Sequence, residues 1–422
     1  MLSGVRVLLA PNGLGLGHVK RVEVLDEELK KAGCLTFYST YLDAYRYCKA
    51  RGLPAVESIP ISYGVSHDGS VDYKATLTSN GLSMGFRRFL QQVTREIQVV
   101  KAFKPHLILS DSRASSIIAG KLLGKPVILL INQLKVYMVN PKALKLNLFD
   151  KLILKVAYLF WVVLNRILEV IWSQANLILI PDFPLPYTIC KMNLEIPKGC
   201  VGKLRFIGPL LRYRPEDLEG VEKLRRKHGL TGSRPILYAA ISGPAAEKRS
   251  LLKTLQPTLI SLSHRYQVVL TMGEPGVDHP VEEVKIGLFK ATPSKLTTYP
   301  WVDEKTHCEL LKACDLVLCR AGHGIITKAM VYGKPMILIP IPNHSEQWSN
   351  AAACGRIGYG VIMDQRNLRP ETLMEAVKRA LTLKPRSIGL NLDDSLVGGK
   401  NSIVHLLSTL TPFHPTRMNR RG

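Results

Sequence analysis

Two stretches decide the fold: "VRVLLAPNGLGLGH", residues 5–18, and "PILYAAISGPAAEK", residues 235–248. Each is a short apolar run, a glycine-bearing turn, and then a segment with helical patterning. An aliphatic run without polar alternation suits a strand covered on both faces. Meeting the same strand–turn–helix opening twice points to two βα units built alike.

Working outward, further strand candidates fall at 35–39, 106–110, 127–131, 177–180 and 204–207. A second series runs through 236–241, 267–271, 295–299, 316–318, 336–339 and 361–363. Helical patterns separate them, which predicts parallel α/β sheets. At 422 residues the chain is also too long for one ordinary core. A polar stretch with one helical segment, "GPLLRYRPEDLEGVEKLRRKHGLTGSRP", parts the two series. The expected division is therefore 1–208, a linker at 209–233, a second domain at 234–395, and a helix with basic tail at 396–422. Two Rossmann-like domains facing across a cleft would offer the carboxyl ends of their strands to one ligand site.

Fifty-seven Lys and Arg against 33 Asp and Glu leave a net charge of +24. Such a surplus attracts polyanions, anionic lipid or phosphorylated small molecules. The basic residues are dispersed and no nucleic-acid-reading motif is present, so nucleic acid is not expected as a partner. Eight cysteines without a C-x-x-C pair argue for buried reduced thiols rather than a zinc ribbon. The chain opens directly into a strand without a secretory signal, which predicts work in the cytoplasm or on its membrane face. Residues 146–180 are unusually apolar, yet their longest run free of charged and amide side chains, 156–164, is about half a bilayer span. Lys155, Tyr158, Trp161 and Trp172 are types favoured at headgroup level, so a helix over about 146–175 lying in the interface is expected. A core helix and a true span are the alternatives.

Gly13, Gly15 and Gly17 are spaced G-x-G-x-G, not G-x-G-x-x-G, and Asp43 lies past the end of the second strand. Dinucleotide binding is disfavoured. The turn is either structural or a cradle for an anionic or strongly polar group at a helix start. His18 follows it. A neutral imidazole there can take a proton from an attacking hydroxyl, and Asp111, ending the run in "HLILSDSRASS", belongs at the same sheet edge. The alternative for His18 is a hydrogen-bonded turn residue.

The richest segment is "CDLVLCRAGHGIITKAMVYGKPMILIPIPNHSEQWSNA", residues 314–351. It resembles the nucleotide-sugar signature of two-domain (GT-B) glycosyltransferases of the MurG and UDP-glucuronosyltransferase superfamily. The amino-terminal turn resembles the Gly-Gly-His loop of MurG and of the eukaryotic two-subunit enzyme that adds the second GlcNAc to dolichyl diphosphate. The resemblance implies that Arg320 and Gly322 form a turn near the nucleotide. Glu346 and Gln347 would bond the donor sugar, Asn350 would lie a turn further on, and Ser242 and Gly243 would hold the diphosphate. It also reserves for a ribose-clasping glutamate the position occupied here by Lys328.

No Asp-x-Asp pair is present, so neither metal nor other cofactor is expected to be required; helix dipoles and donors would stabilise the leaving group. The implied enzyme is an inverting hexosyltransferase. It would move GlcNAc from UDP-GlcNAc to a polyprenyl- or dolichyl-diphosphate sugar on the cytoplasmic membrane face, as an archaeal fused counterpart of the eukaryotic enzyme. Its partners would be the donor, the lipid-linked acceptor, an anionic membrane surface and other glycosylation enzymes. Rival readings are MurG-like transfer to another lipid-linked glycan, nucleotide-sugar 2-epimerisation, and a lipid-docked scaffold without turnover.

Overall fold

A computed structural model describes residues 2–61, 82–135, 148–190, 194–243, 245–274 and 295–385. The first sheet comprises β1 (Arg6–Pro11), β2 (Leu35–Thr40), β3 (Ala55–Glu57), β4 (Leu107–Asp111), β5 (Val127–Leu130), β6 (Leu177–Ile180) and β7 (Leu204–Phe206). All are parallel, in the order β3-β2-β1-β4-β5-β6-β7. The second comprises β8 (Ile236–Ala240), β9 (Gln267–Thr271), β10 (Lys295–Tyr299), β11 (Leu316–Cys319), β12 (Met336–Leu338) and β13 (Gly360–Ile362). It is parallel too, in the order β10-β9-β8-β11-β12-β13. Two parallel α/β sheets are thus what the apolar runs implied. The strand not foreseen is β3, a three-residue edge too short to show periodicity.

The helices around the first sheet are α1 (Gly17–Lys31), α2 (Leu42–Ala50), α3 (Leu82–Phe103), α4 (Ala114–Leu122) and α5 (Leu148–Trp172). Then come α6 (Val221–Lys227), α7 (Ala245–Leu262), α8 (Glu304–Ala313), α9 (His323–Val331), α10 (Ser345–Arg356) and α11 (Pro370–Thr382). Each sheet has an apolar core on both faces. The lobes are not merely tethered: Phe183, Ile189 and Cys190, from the loop after β6, are buried in the core of the second lobe beside Ile326 and Ala351. The expected tail at 396–422 and the last ten positions of the second domain lie outside the described residues.

Helix α5 corrects the expected membrane contacts. Trp161 and Trp172 are only 5% and 3% exposed, and the Trp172 indole donates to the Leu134 carbonyl at 3.2 Å. Positions 161, 165 and 172 lie on one helical face, and that face packs inward. A large ring whose N–H finds a backbone acceptor gains more from the core than from a wet interface. The opposite stripe, Leu159, Val163, Ile167 and Val170, is exposed, as is Tyr158; the Lys155 side chain lies outside the described residues. No helix among the described residues is long and apolar enough to cross a membrane.

Candidate active site

In the first sheet β1 lies beside β4, with Pro11 opposite Asp111, and the chain winds outward in both directions from there. Such a switch point opens a crevice at the strand ends. The Asn12 N–H bonds the Asp111 carbonyl at 3.0 Å, and α1 then begins at Gly17, so His18 sits in its first turn. His18 Nδ1 lies 2.9 Å from Asp111 Oδ1; the imidazole is 26% exposed and the carboxylate is fully buried. One turn further, Arg21 Nε donates to Asp111 Oδ2 at 2.6 Å, and its Nη2 also meets Oδ1. An ionised carboxylate only accepts, so Nδ1 carries the shared hydrogen and Nε2 is left as the acceptor. The 3.1 Å approach of Arg21 Nη2 to Nδ1 is then a contact and not a bond. Burial would raise the Asp111 pKa, but Arg21 and His18 hold it at about 2.

The three loop glycines divide the work. A Cβ on Gly13 would overlap the carbonyl and ring of Tyr41, so this glycine is required by packing. Gly15 has φ +66° and donates its N–H to the Asp43 carboxylate at 3.3 Å. That N–H is occupied, so Gly15 does not offer its own N–H to an anion. Gly17 starts α1 with open space at its Cβ position.

In the second sheet β8 lies beside β11, another switch point. Ser242 and Gly243 form the exposed turn before α7, with Gly243 at φ +124°. Arg320 turns inward. Only 2% exposed, it donates to the carbonyls of Ile339 at 3.3 Å and Glu247 at 3.0 Å, and burial brings its pKa down to about 10. Gly322 caps α9. Asn350 is fully buried and donates to the Ala321 carbonyl at 3.2 Å; the Gln347 amide oxygen accepts from the Ile341 N–H at 3.0 Å. Arg320 and Asn350 therefore hold the turns from beneath, which is the turn role expected of Arg320, while Gln347 commits its amide oxygen to the main chain and not to a sugar hydroxyl.

Glu346 spans the lobes. Its Oε1 accepts from Asn132 Nδ2 at 3.0 Å and its Oε2 from Gln133 Nε2 at 3.3 Å. Asn132 Oδ1 in turn receives Arg21 Nη1 at 3.3 Å. A continuous polar path thus runs from His18 and Asp111 through Arg21 and Asn132 to Glu346. Sequence reading passed over Arg21, Asn132 and Gln133. The available signals were the helical i, i+3 spacing of His18 and Arg21, and the place of Asn132 just beyond β5.

Lys328 does not stand as a free cation. Its ammonium pairs with Glu304, at the start of α8. Burial would lower the Lys328 pKa, but Glu304 keeps it above the ordinary value. Burial would likewise raise the Glu304 carboxyl, and Lys328 and Lys20 hold it far below the usual range. Lys20, on α1 of the facing lobe, is 3.6 Å from Glu304 Oε2 and lies 4.6 Å over the Trp301 ring.

Asp182, Cys190 and His323 bring metal-ligating atoms within 4.8 Å of one another, all buried. The carboxylate is already engaged. Asp182 Oδ2 accepts from Thr188 at 2.7 Å and from the N–H groups of Ile189 and Cys190 at 3.1 and 3.2 Å, and Oδ1 from Phe183 N–H at 2.8 Å. Four donors fill its acceptor capacity, so Asp182 folds the 182–190 loop against His323, whose Nε2 is 3.7 Å away.

Two parallel lobes meeting at their switch points define the GT-B class. Across the whole fold the structure is similar to Acinetobacter baumannii MurG, with a TM-score of 0.55 at 15% identity over 96% of this chain and 99% of that one. It is similar also to the glycotransferase of kitacinnamycin, with a TM-score of 0.62 at 15% identity over 97% and 100%. Residues 240–390 match the Glycosyltransferase family 28 C-terminal domain. An uncharacterized glycosyltransferase of Methanosarcina acetivorans is 26% identical, over 89% of this chain and 90% of its own length. The UDP-N-acetylglucosamine–N-acetylmuramyl-(pentapeptide) pyrophosphoryl-undecaprenol N-acetylglucosamine transferase of Syntrophotalea carbinolica is 28% identical over 37% of this chain and 42% of its own. The chain is thus similar to glycosyltransferases along most of its length, and its second lobe carries the match to the family 28 C-terminal domain.

Proposed function

We propose that the protein transfers GlcNAc from UDP-GlcNAc, with inversion, to a sugar on a polyprenyl or dolichyl diphosphate at the cytoplasmic membrane face, in lipid-linked glycan assembly. The observation that bears most weight is the His18–Asp111 pair, tied through Arg21 and Asn132 to Glu346 of the other lobe. His18 Nε2 accepts the proton of the acceptor hydroxyl, and the freed oxygen attacks the anomeric carbon as the nucleoside diphosphate leaves. Asp111 orients the imidazole and stabilises its charge as it forms; Arg21 fixes Asp111. Ser242, Gly243 and the start of α9 offer N–H groups to the diphosphate. Glu346 accepts from a sugar hydroxyl on its free lone pairs. Neither a cofactor nor a metal enters this scheme. The donor and acceptor are supported by the activity for which the Syntrophotalea relative is named, and a lipid acceptor also by the net charge of +24.

The membrane contact moves to the exposed stripe Leu159, Val163, Ile167 and Val170 on α5, with Tyr158 beside it. An apolar face with basic residues nearby docks to anionic lipid at roughly 1 kcal/mol per Lys or Arg. Incubating the protein with a panel of UDP-sugars and synthetic sugar-diphosphate lipids, with product masses read out, tests the transfer. GlcNAc added to the lipid-linked sugar is expected, and sugar epimerised without acceptor, or no product from any pair, would reject it. Leu159→Gln with Ile167→Gln should reduce co-sedimentation with anionic vesicles, and unchanged binding would rule out this face.

A further inference from the structure

The mechanism above takes the position of His18 as given, yet the start of α1 that carries it is braced against the other lobe at two points. Lys20 reaches the second lobe directly, with its ammonium 3.6 Å from Glu304 Oε2 and 4.6 Å over the Trp301 ring. Arg21, the next residue, reaches it through Asn132. Arg21 Nη1 donates to Asn132 Oδ1 at 3.3 Å, the one partner of that nitrogen among the described residues. Asn132 Nδ2 in turn donates to Glu346 Oε1 at 3.0 Å, and Gln133 Nε2 holds Oε2 at 3.3 Å. Only one orientation of the Asn132 amide works. Its oxygen must face the guanidinium, which only donates, and its nitrogen must face the carboxylate, which only accepts. Asn132 is 5% exposed, so a partner lost from either end is not readily replaced by water.

We propose that Asn132 is a positioning residue that makes the alignment of the His18–Asp111 pair depend on contact between the lobes. The inference rests on the reading of His18 as the base. When the lobes part, Glu346 withdraws, and the Asn132 amide is left with a buried N–H group unpaired and turns from Arg21 to seek another acceptor. Arg21 bonds both oxygens of Asp111, so a guanidinium that shifts takes the carboxylate with it, and the imidazole loses its fixed partner. Proton transfer is thereby confined to a cleft whose second lobe is in place.

Two measurements on the full-length protein at pH 8 test this: transfer kinetics with UDP-GlcNAc and a synthetic sugar-diphosphate lipid, and hydrogen–deuterium exchange without ligands. Asn132→Asp keeps an acceptor for Arg21 but sets a second carboxylate against Glu346. Its kcat should fall by about tenfold or more, and the amides of 17–21 and 345–350 should exchange about fivefold faster. Adding Glu346→Gln reverses the polarity of the contact: the new amide donates to the carboxylate at 132 while its oxygen still accepts from Gln133. The double variant should therefore return slow exchange and a kcat within about threefold of Glu346→Gln alone, a rescue that a misfolded or merely space-filling position 132 would not give. Exchange unchanged in Asn132→Asp, or a double variant whose kcat falls by the product of the two single losses, overturns the inference and leaves the base reading intact. A wild type that transfers no sugar from any donor of the panel overturns both.

Discussion

The two switch points are built on one plan and do opposite things with it. At the first, charged side chains converge on the crevice: His18 keeps a quarter of its surface, and Asp111 and Arg21 stand directly behind it. At the second, Arg320 and Asn350 turn away from the crevice and bond backbone carbonyls. One edge displays side-chain chemistry; the other displays main chain held in shape from beneath. A proton-transfer group needs an exposed ring nitrogen, whereas a diphosphate is bound well by N–H groups at helix starts, which need only a fixed backbone.

Substitutions can break this comparison. The largest effect belongs to His18→Ala, expected to lower the transfer rate by about 10³-fold. UDP affinity should hardly move, because the donor turns lie on the other lobe; a parallel loss of affinity would show the lobes are not divided in labour. Next comes Gly13→Ala, whose Cβ would overlap Tyr41. It should cost about 3 kcal/mol in urea denaturation, while Gly17→Ala should cost almost nothing. Equal effects of the two would mean the loop is not pinned on Tyr41.

Asp111 sharpens the contrast through acid sensitivity. Its folded pKa, about 2, lies below the value near 3.9 of an unfolded Asp. The stabilisation it gives is therefore complete above about pH 4 and is lost as pH falls towards 2, an amount of about 2 kcal/mol. In Asp111→Asn the stability difference between pH 5 and pH 2 should shrink by about that much, and an unchanged acid limb would remove the buried carboxylate from the account. The smallest effect is that of Asn350→Ala, about 1 kcal/mol for one lost side-chain bond to a carbonyl. Its signature should be a raised donor KM with kcat little altered, whereas a fall in kcat alone would place Asn350 in the chemistry.

Much of this was legible beforehand. The apolar runs located all the longer strands, and the end of the run at Asp111 placed it on the edge that carries His18. The misjudged residues share a feature. Trp161 and Trp172 were assigned by residue type, but which face of α5 turns inward depends on what packs against it. The charge that answers Lys328 was out of view because its partner Glu304 lies 24 residues away on another helix. The span from Asn132 to Glu346 covers 214 residues and cannot be seen in any local window.

By itself, then, the amino-acid sequence determined the local items: strand positions, glycine turns, the histidine at a helix start and the family pattern near the carboxyl end. These follow from backbone preferences and hydrophobic spacing over a few residues. Tertiary structure alone decided which polar groups face the cleft, which prop up turns from behind, and which charge answers which. Pairing energies depend on distance and burial, and both are set only when segments far apart in the chain come together.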